Sequence, residues 1–201
     1  MSFDILKQNL EKKGYKVTVC GTASDAAAHI DGEIDGKSVG IGGSVTVQQI
    51  GLYEKLKLHN DVYWHAVKSE DKTPAEIRAL AESARVYILS ANAVAESGEI
   101  VNIDGACNRI ASSCYGHEKV IFVIGRNKIC KDYDEAVFRA RNVAAPKNAK
   151  RLGKNTPCAV NADKCYNCAS PERICRVLSV FWSKPMLGEF EIVLVNEDLG
   201  Y

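Results

Sequence analysis

Hydrophobic and polar positions along this chain switch repeatedly between two periods. Phe3, Leu6 and Leu10 recur at helical spacing among Lys and Gln, and Gly14 stops that helix. Residues 15–20 alternate and are rich in β-formers, which predicts a strand. Thr22 or Ser24 can cap a second helix carrying Ala26, Ala27, Ala28 and Ile30. Two Asp-Gly turns lead to an apolar run at 38–41, and Gly42-Gly43 ends it. Ser44 then opens a helix to about Leu58, with Val47, Ile50, Leu52 and Leu56 on one broad face. A short strand at 61–65 follows. The next helix starts at Thr73-Pro74, with Pro at its first position and Glu76 in its first turn. Residues 86–89 read as a buried strand.

This alternation predicts an α/β fold with a mostly parallel sheet and helices on its faces. Ligands in such sheets sit beyond the C-terminal strand ends. Gly42, Gly43 and Ser44 lie at one such end, and Ser90-Ala91-Asn92 at another. Glycines permit positive φ and close approach to the backbone, and Ser44 is a natural helix cap. The stretch from Gly42 through Val45 and Thr46 therefore reads either as a cradle for a phosphate or carboxylate, or as an ordinary turn that needs small residues. It lacks the Gly-Lys-Ser/Thr of a P-loop and the full dinucleotide-binding glycine pattern.

After residue 90 the pattern changes. Residues 91–104 predict a β-hairpin turning at Ser97-Gly98, and Asn108-Arg109 opens a short helix. A strong buried strand spans 119–124, and a helix over 134–145 is closed by Pro146. Residues 147–173 read as a long ordered loop or small metal knuckle. The β-rich runs 177–182 and 190–195, with Lys184-Pro185 and Gly188 between them, predict a closing C-terminal hairpin over 177–196.

Bulk properties narrow the function. The 201 residues suit one domain, and a net charge of +1 gives no case for nucleic-acid binding by bulk electrostatics. No apolar run approaches the length of a membrane span, and no basic-then-apolar leader opens the chain, so the expected location is the cytoplasm. Cysteines in that setting are metal ligands, redox groups or buried thiols more often than disulfides.

Cys158, Cys165, Cys168 and Cys175 fall together in a polar, turn-rich stretch within the cysteine-rich segment 156–176. Four thiolates can close a zinc site or hold an iron–sulfur cluster. The competing reading is a set of unrelated thiols, with Cys165 and Cys168 as a redox pair. Glu96, Glu99 and Asp104 form a carboxylate-bearing hairpin with Asn92, Asn102 and Asn108 nearby. Glu96 is the candidate nucleophile or base, against the simpler reading of solvated charges at a hairpin tip. Arg109 and Lys128 are candidate partners of an anionic ligand.

Several of these stretches together resemble the LUD-domain (lactate utilisation) family. They are Gly42-Gly43-Ser44-Val45-Thr46 with Gln49-Ile50-Gly51, Ser90-Ala91-Asn92-Ala93-Val94 with the hairpin to Gly105, Val123-Ile124-Gly125 with Asn127-Lys128, and Arg141 to Pro146. The tail from Thr156 to Cys175 resembles a cysteine-bearing single-domain branch. The resemblance implies a Rossmann-like three-layer α/β/α fold of the ribose-phosphate isomerase and CoA-transferase type, with an inserted β-hairpin, as one domain over 1–201. It implies an accessory or electron-transfer role in L-lactate oxidation, with redox partner proteins, a small anionic metabolite at the glycine loop, and a 4Fe-4S cluster or zinc on the cysteines. A CoA-transferase-like or sugar-phosphate enzyme using Glu96, with a CoA or phosphate-bearing ligand, is the alternative, and a zinc-stabilised non-catalytic ligand-binding protein is the third reading. Homo-oligomerisation stays open.

Overall fold

The computed structural model describes residues 3–161 and 163–201; Met1, Ser2 and Ala162 lie outside the described residues. Helix α1 (Asp4–Lys12) leads into strand β1 (Lys16–Cys20), and α2 (Ala23–Glu33) into β2 (Ser38–Ile41). Thr22 caps α2 in a capping box with Asp25. The helix expected over 44–58 is two pieces, α3 (Val45–Gln49) and α4 (Leu52–Leu56), because Gly51 sits between them at φ +67°. Strand β3 (Asp61–Tyr63), helix α5 (Pro74–Glu82) and strand β4 (Val86–Leu89) follow, and Thr73 with Glu76 forms the capping box at α5.

The predicted hairpin is present as β5 (Ala93–Ala95) and β6 (Ile100–Asp104), antiparallel. Helix α6 (Asn108–Cys114), strand β7 (Lys119–Gly125), a 3-10 turn over Arg126–Lys128 and the short strand β8 (Ile129–Cys130) come next. Pro146 does not close the following helix as expected. Helix α7 (Tyr133–Arg139) passes through a π-helical turn (Ala140–Ala144) into α8 (Ala145–Arg151), with Pro146 in the first turn of α8. A widened turn accommodates a residue that has no N–H to donate. The chain ends with α9 (Pro157–Asn161), β9 (Val177–Phe181) and β10 (Glu189–Val195).

Six strands make one parallel sheet in the order β1-β10-β7-β4-β2-β3. Its residues alternate between two cores. Val86, Ile88, Ile121 and Val123 pack towards α2, α3 and α4, whereas Tyr87, Leu89, Val120 and Phe122 pack with Leu6 and Leu10 of α1 and Ala81 of α5. This is the expected three-layer α/β/α, Rossmann-like arrangement. The fit is tight at Gly40, where a Cβ would lie 2.3 Å from the Ala81 carbonyl oxygen.

The predicted closing hairpin is absent. β9 pairs antiparallel with β6 in a second sheet of order β8-β5-β6-β9, while β10 lies between β1 and β7 in the main sheet. Both runs have the same local character, but β10 is buried along almost its whole length and β9 is an edge strand. Trp182, just past the end of β9, is exposed. No helix among the described residues is long and apolar enough to cross a membrane.

Candidate functional site

Because the main sheet is parallel, β2, β4, β7 and β10 end on one side, and the segments leaving them enclose a cavity of about 550 Å³. Its floor is residues 43–46 after β2, Ser90 to Asn92 after β4, Lys128 after β7, and Gly200 with Tyr201 after β10. One wall is Asp104, Asn108 and Arg109. The opposite wall comes from α8 and the cysteine segment, through Asn148, Arg151, Arg173 and Arg176.

Lys128 sits at the bottom with 4% of its surface exposed. Its ammonium donates to Thr46 Oγ1 at 2.8 Å, Ser90 Oγ at 2.8 Å and the Ala91 carbonyl at 3.1 Å. All three acceptors are neutral. Burial, reinforced by Arg139 and Arg109, lowers its pKa to about 7. A buried cation without a carboxylate partner, facing a cavity, favours an anionic guest.

Arg109 stands above it. Its Nη2 donates to the Ile103 carbonyl at 2.7 Å, and its Nε lies 3.4 Å from Asp104 Oδ2. The other Asp104 oxygen accepts from the Gly105 and Cys107 amides. Gly42 explains why Arg109 can lie there, since a Cβ would meet the Arg109 stem and the Tyr87 hydroxyl at 3.0 Å each. Ser44 caps α3 through the Val47 amide, as expected. His65 also lines the cavity, and burial, then Arg78 and Arg109, push its pKa down. Gln49 holds the tail, accepting from the Gly200 amide at 2.6 Å.

The four tail cysteines line a single small pocket, together with Arg141, Pro146 and Thr156. The pocket's volume is about 10 Å³. Cys165 Sγ accepts from Arg141 Nε at 3.5 Å and from the Asn167 amide at 3.3 Å. Burial alone would raise the Cys165 thiol, but these two hydrogen bonds outweigh it and hold its pKa below the ordinary value. Arg173 ties the segment together, donating to the carbonyls of Cys175 at 2.8 Å and Cys168 at 2.9 Å. Among the described residues, no group of three or more His, Cys, Asp or Glu is placed to hold a metal ion. Ala145, Arg173 and Ile174 line both this pocket and the large cavity, so the two spaces share a wall.

Of the candidates from sequence, Gly43, Ser44, Val45, Thr46, Asn92, Asp104, Asn108, Arg109 and Lys128 line the cavity. Gly42 lies behind Arg109. Asn102 is buried outside the lining, where its side-chain oxygen accepts from the Asn92 amide. Glu96 is exposed at the far end of β5, with its amide bonded to the Cys130 carbonyl, and takes no part in the cavity. Strand β5 begins beside the cavity at Asn92 and runs away from it, which removes the geometric case for Glu96 as nucleophile. The other carboxylate of the hairpin tip, Glu99, pairs with Lys13 at 2.9 Å. The sequence reading missed His65, Arg151, Lys154, Arg173 and Arg176. Arg173 falls within the cysteine-bearing tail, but no local signal gives any of the five a ligand role, and long-range packing brings them to the cavity.

The LUD domain family model matches residues 4–195. No curated protein matches the chain. Among solved structures, a DUF162 family protein from Deinococcus radiodurans is similar with a TM-score of 0.52 and 14% identity, covering 97% of this chain and 99% of the other. At that identity the likeness concerns the fold.

Proposed function

Since the chain belongs to the LUD-domain family, we propose that it is an accessory, electron-transferring component of 2-hydroxy-acid oxidation of the L-lactate type. It binds an organic anion above Lys128 and carries a redox centre on the four tail cysteines. One observation carries the reading: the pocket lined by all four thiols and the cavity floored by Lys128 share Ala145, Arg173 and Ile174.

The donor set suits an iron–sulfur cluster, whose ligands are four thiolates with hydrogen bonds to sulfur that tune the potential. Arg141 and the Asn167 amide supply such bonds to Cys165. Because no three of these thiols are placed to hold a metal in this arrangement, loading would require the segment to rearrange. The cluster would supply one-electron transfer. Converting a hydroxy acid to an oxo acid removes two electrons and two protons, so a partner protein that accepts hydride has to perform the bond-breaking step. The residues of this chain orient and hold. Lys128 and Arg109 fix the anionic group, Asp104 keeps Arg109 in place, and Arg173 ties the cavity wall to the backbone of Cys168 and Cys175.

A second reading follows from all four thiols lining one pocket: zinc, which takes four thiolates at about 2.3 Å, would rigidify a non-catalytic binding protein. Anaerobic purification with iron, acid-labile sulfide and zinc analysis decides between them. Stoichiometric iron and sulfide are expected. Colourless protein that holds zinc, or no metal at all, removes the electron-transfer role.

A further inference from the structure

The chain as a whole is nearly balanced, with 26 Lys and Arg against 25 Asp and Glu. The cavity is not. Its lining carries Arg109, Lys128, Arg151, Lys154, Arg173 and Arg176 against only Asp104 and Glu172. Elsewhere the protein pairs its charges, as at Lys119 with Glu191 and Arg126 with Asp198. Here only Arg109 has a carboxylate in reach, at 3.4 Å. Among the described residues, no carboxylate forms an ion pair with the other five. Glu172 is turned to the Asn155 amide.

These cations occupy two levels. Lys128 and Arg109 are at the buried end. Arg151, Lys154 and Arg176 stand at the mouth, contributed by α8, the turn after it and the end of the cysteine segment. Among the described residues, the Arg151 side chain donates to Asn148 alone, and the Arg176 side chain to the backbone carbonyls of Pro171 and Arg173. A volume of about 550 Å³ lies within the range of pockets that enclose cofactor-sized ligands. A three-carbon acid held at Lys128 would leave the mouth filled with water and its cations unused.

We propose that the outer half of the cavity is a phosphate subsite, and that the ligand is a multiply charged, phosphate-bearing organic anion rather than a simple hydroxy acid. Its inner oxygens meet Lys128 and Arg109, and its phosphate groups meet Arg151, Lys154 and Arg176. Guanidinium groups suit this role because their donors match phosphate oxygens in pairs. This inference rests on the anion cavity of the proposed function and extends it to a ligand class.

Calorimetric titration of the full chain with pyrophosphate, pyruvate and tricarballylate tests it. Pyrophosphate is expected to bind at least about tenfold more tightly than pyruvate, and to weaken steeply with salt. The double variant Arg151→Gln, Lys154→Gln is expected to lose about tenfold on pyrophosphate and less than about threefold on pyruvate. Lys128→Met is expected to weaken both. Melting temperature reports whether each variant is folded. Pyruvate binding as tightly as pyrophosphate would overturn the phosphate subsite and leave the anion cavity standing. Tricarballylate binding with the same mouth dependence while pyrophosphate stays weak would overturn the phosphate assignment. Failure of all three probes to bind or to raise the melting temperature would overturn both the subsite and the cavity reading.

Discussion

Replacing Lys128 with Met should make the ligand-free protein more stable while removing anion binding. Burial, with Arg139 and Arg109 nearby, lowers the amine from 10.5 to about 7. Between those values the unfolded chain holds a proton that the folded chain does not. Folding stability therefore rises with pH across this window, and the penalty is fully present below about pH 7. At about 1.4 kcal/mol per tenfold change in proton affinity, the penalty is roughly 5 kcal/mol. Against this, methionine gives up the hydrogen bonds to Thr46, Ser90 and Ala91. Each abandoned acceptor costs about 1 kcal/mol, and the two hydroxyls can turn to new partners. The balance is a gain of about 1–3 kcal/mol at pH 6–7, shrinking to nothing or a loss by pH 10. Urea denaturation of both proteins at pH 6, 8 and 10 measures the gap. A variant destabilised at pH 6 by the same amount as at pH 10 would show that Lys128 is a structural cation and not an uncompensated one. Anion affinity supplies the other half. In the wild type it should fall about tenfold per pH unit above about 7 as the amine loses its proton.

Further predictions concern the frame around the site. Glu191 is 1% exposed; burial alone would raise its pKa, but hydrogen bonds from His29, Lys119 and Thr18 outweigh that and hold it at about 2. It should contribute about 3 kcal/mol above pH 4.5, lost as pH falls towards 2, so Glu191→Gln should flatten the acid limb of a stability–pH curve. Gly40→Ala, with a Cβ 2.3 Å from the Ala81 carbonyl, should cost about 2 kcal/mol or more in chemical denaturation. Gly105→Ala would press on the Ile174 carbonyl at 2.6 Å, and should lower metal content in anaerobically purified protein more than it lowers melting temperature. Cys165→Ser should abolish iron incorporation, whereas Cys130→Ser, in the apolar cluster with Ala93 and Ala136, should leave it unchanged.

Much of this architecture was legible from periodicity. The strand at 86–89 and the helix start at Thr73-Pro74 follow from local chemistry alone. Misreadings arose where two outcomes share one local signal. The β-rich runs that became β9 and β10 looked like partners across a Pro- and Gly-containing turn. Only the competition of whole sheets sends β10 between β1 and β7 and leaves β9 on an edge. Pro146 looked like a helix stop, but a π-helical turn before it absorbs the missing hydrogen bond. The site divides in the same way. Gly43 to Thr46, Asn92 and Lys128 were recognisable because strand ends in a parallel sheet converge. His65, Arg151, Arg173 and Arg176 were not: the signature of the segment holding Arg173 and Arg176 points to its thiols, and only packing turns these side chains to the cavity. Glu96 shows the converse: its neighbourhood resembled an active-site turn, yet the hairpin carries it away from the cavity.

The most direct test of the whole account is the paramagnetic resonance spectrum of anaerobically purified, reduced protein before and after addition of pyrophosphate. The shared wall at Ala145, Arg173 and Ile174 predicts a cluster signal whose shape changes on anion binding in the wild type and not in Lys128→Met. Absence of a cluster signal, or a signal unmoved by pyrophosphate at concentrations that saturate the titration, would contradict it.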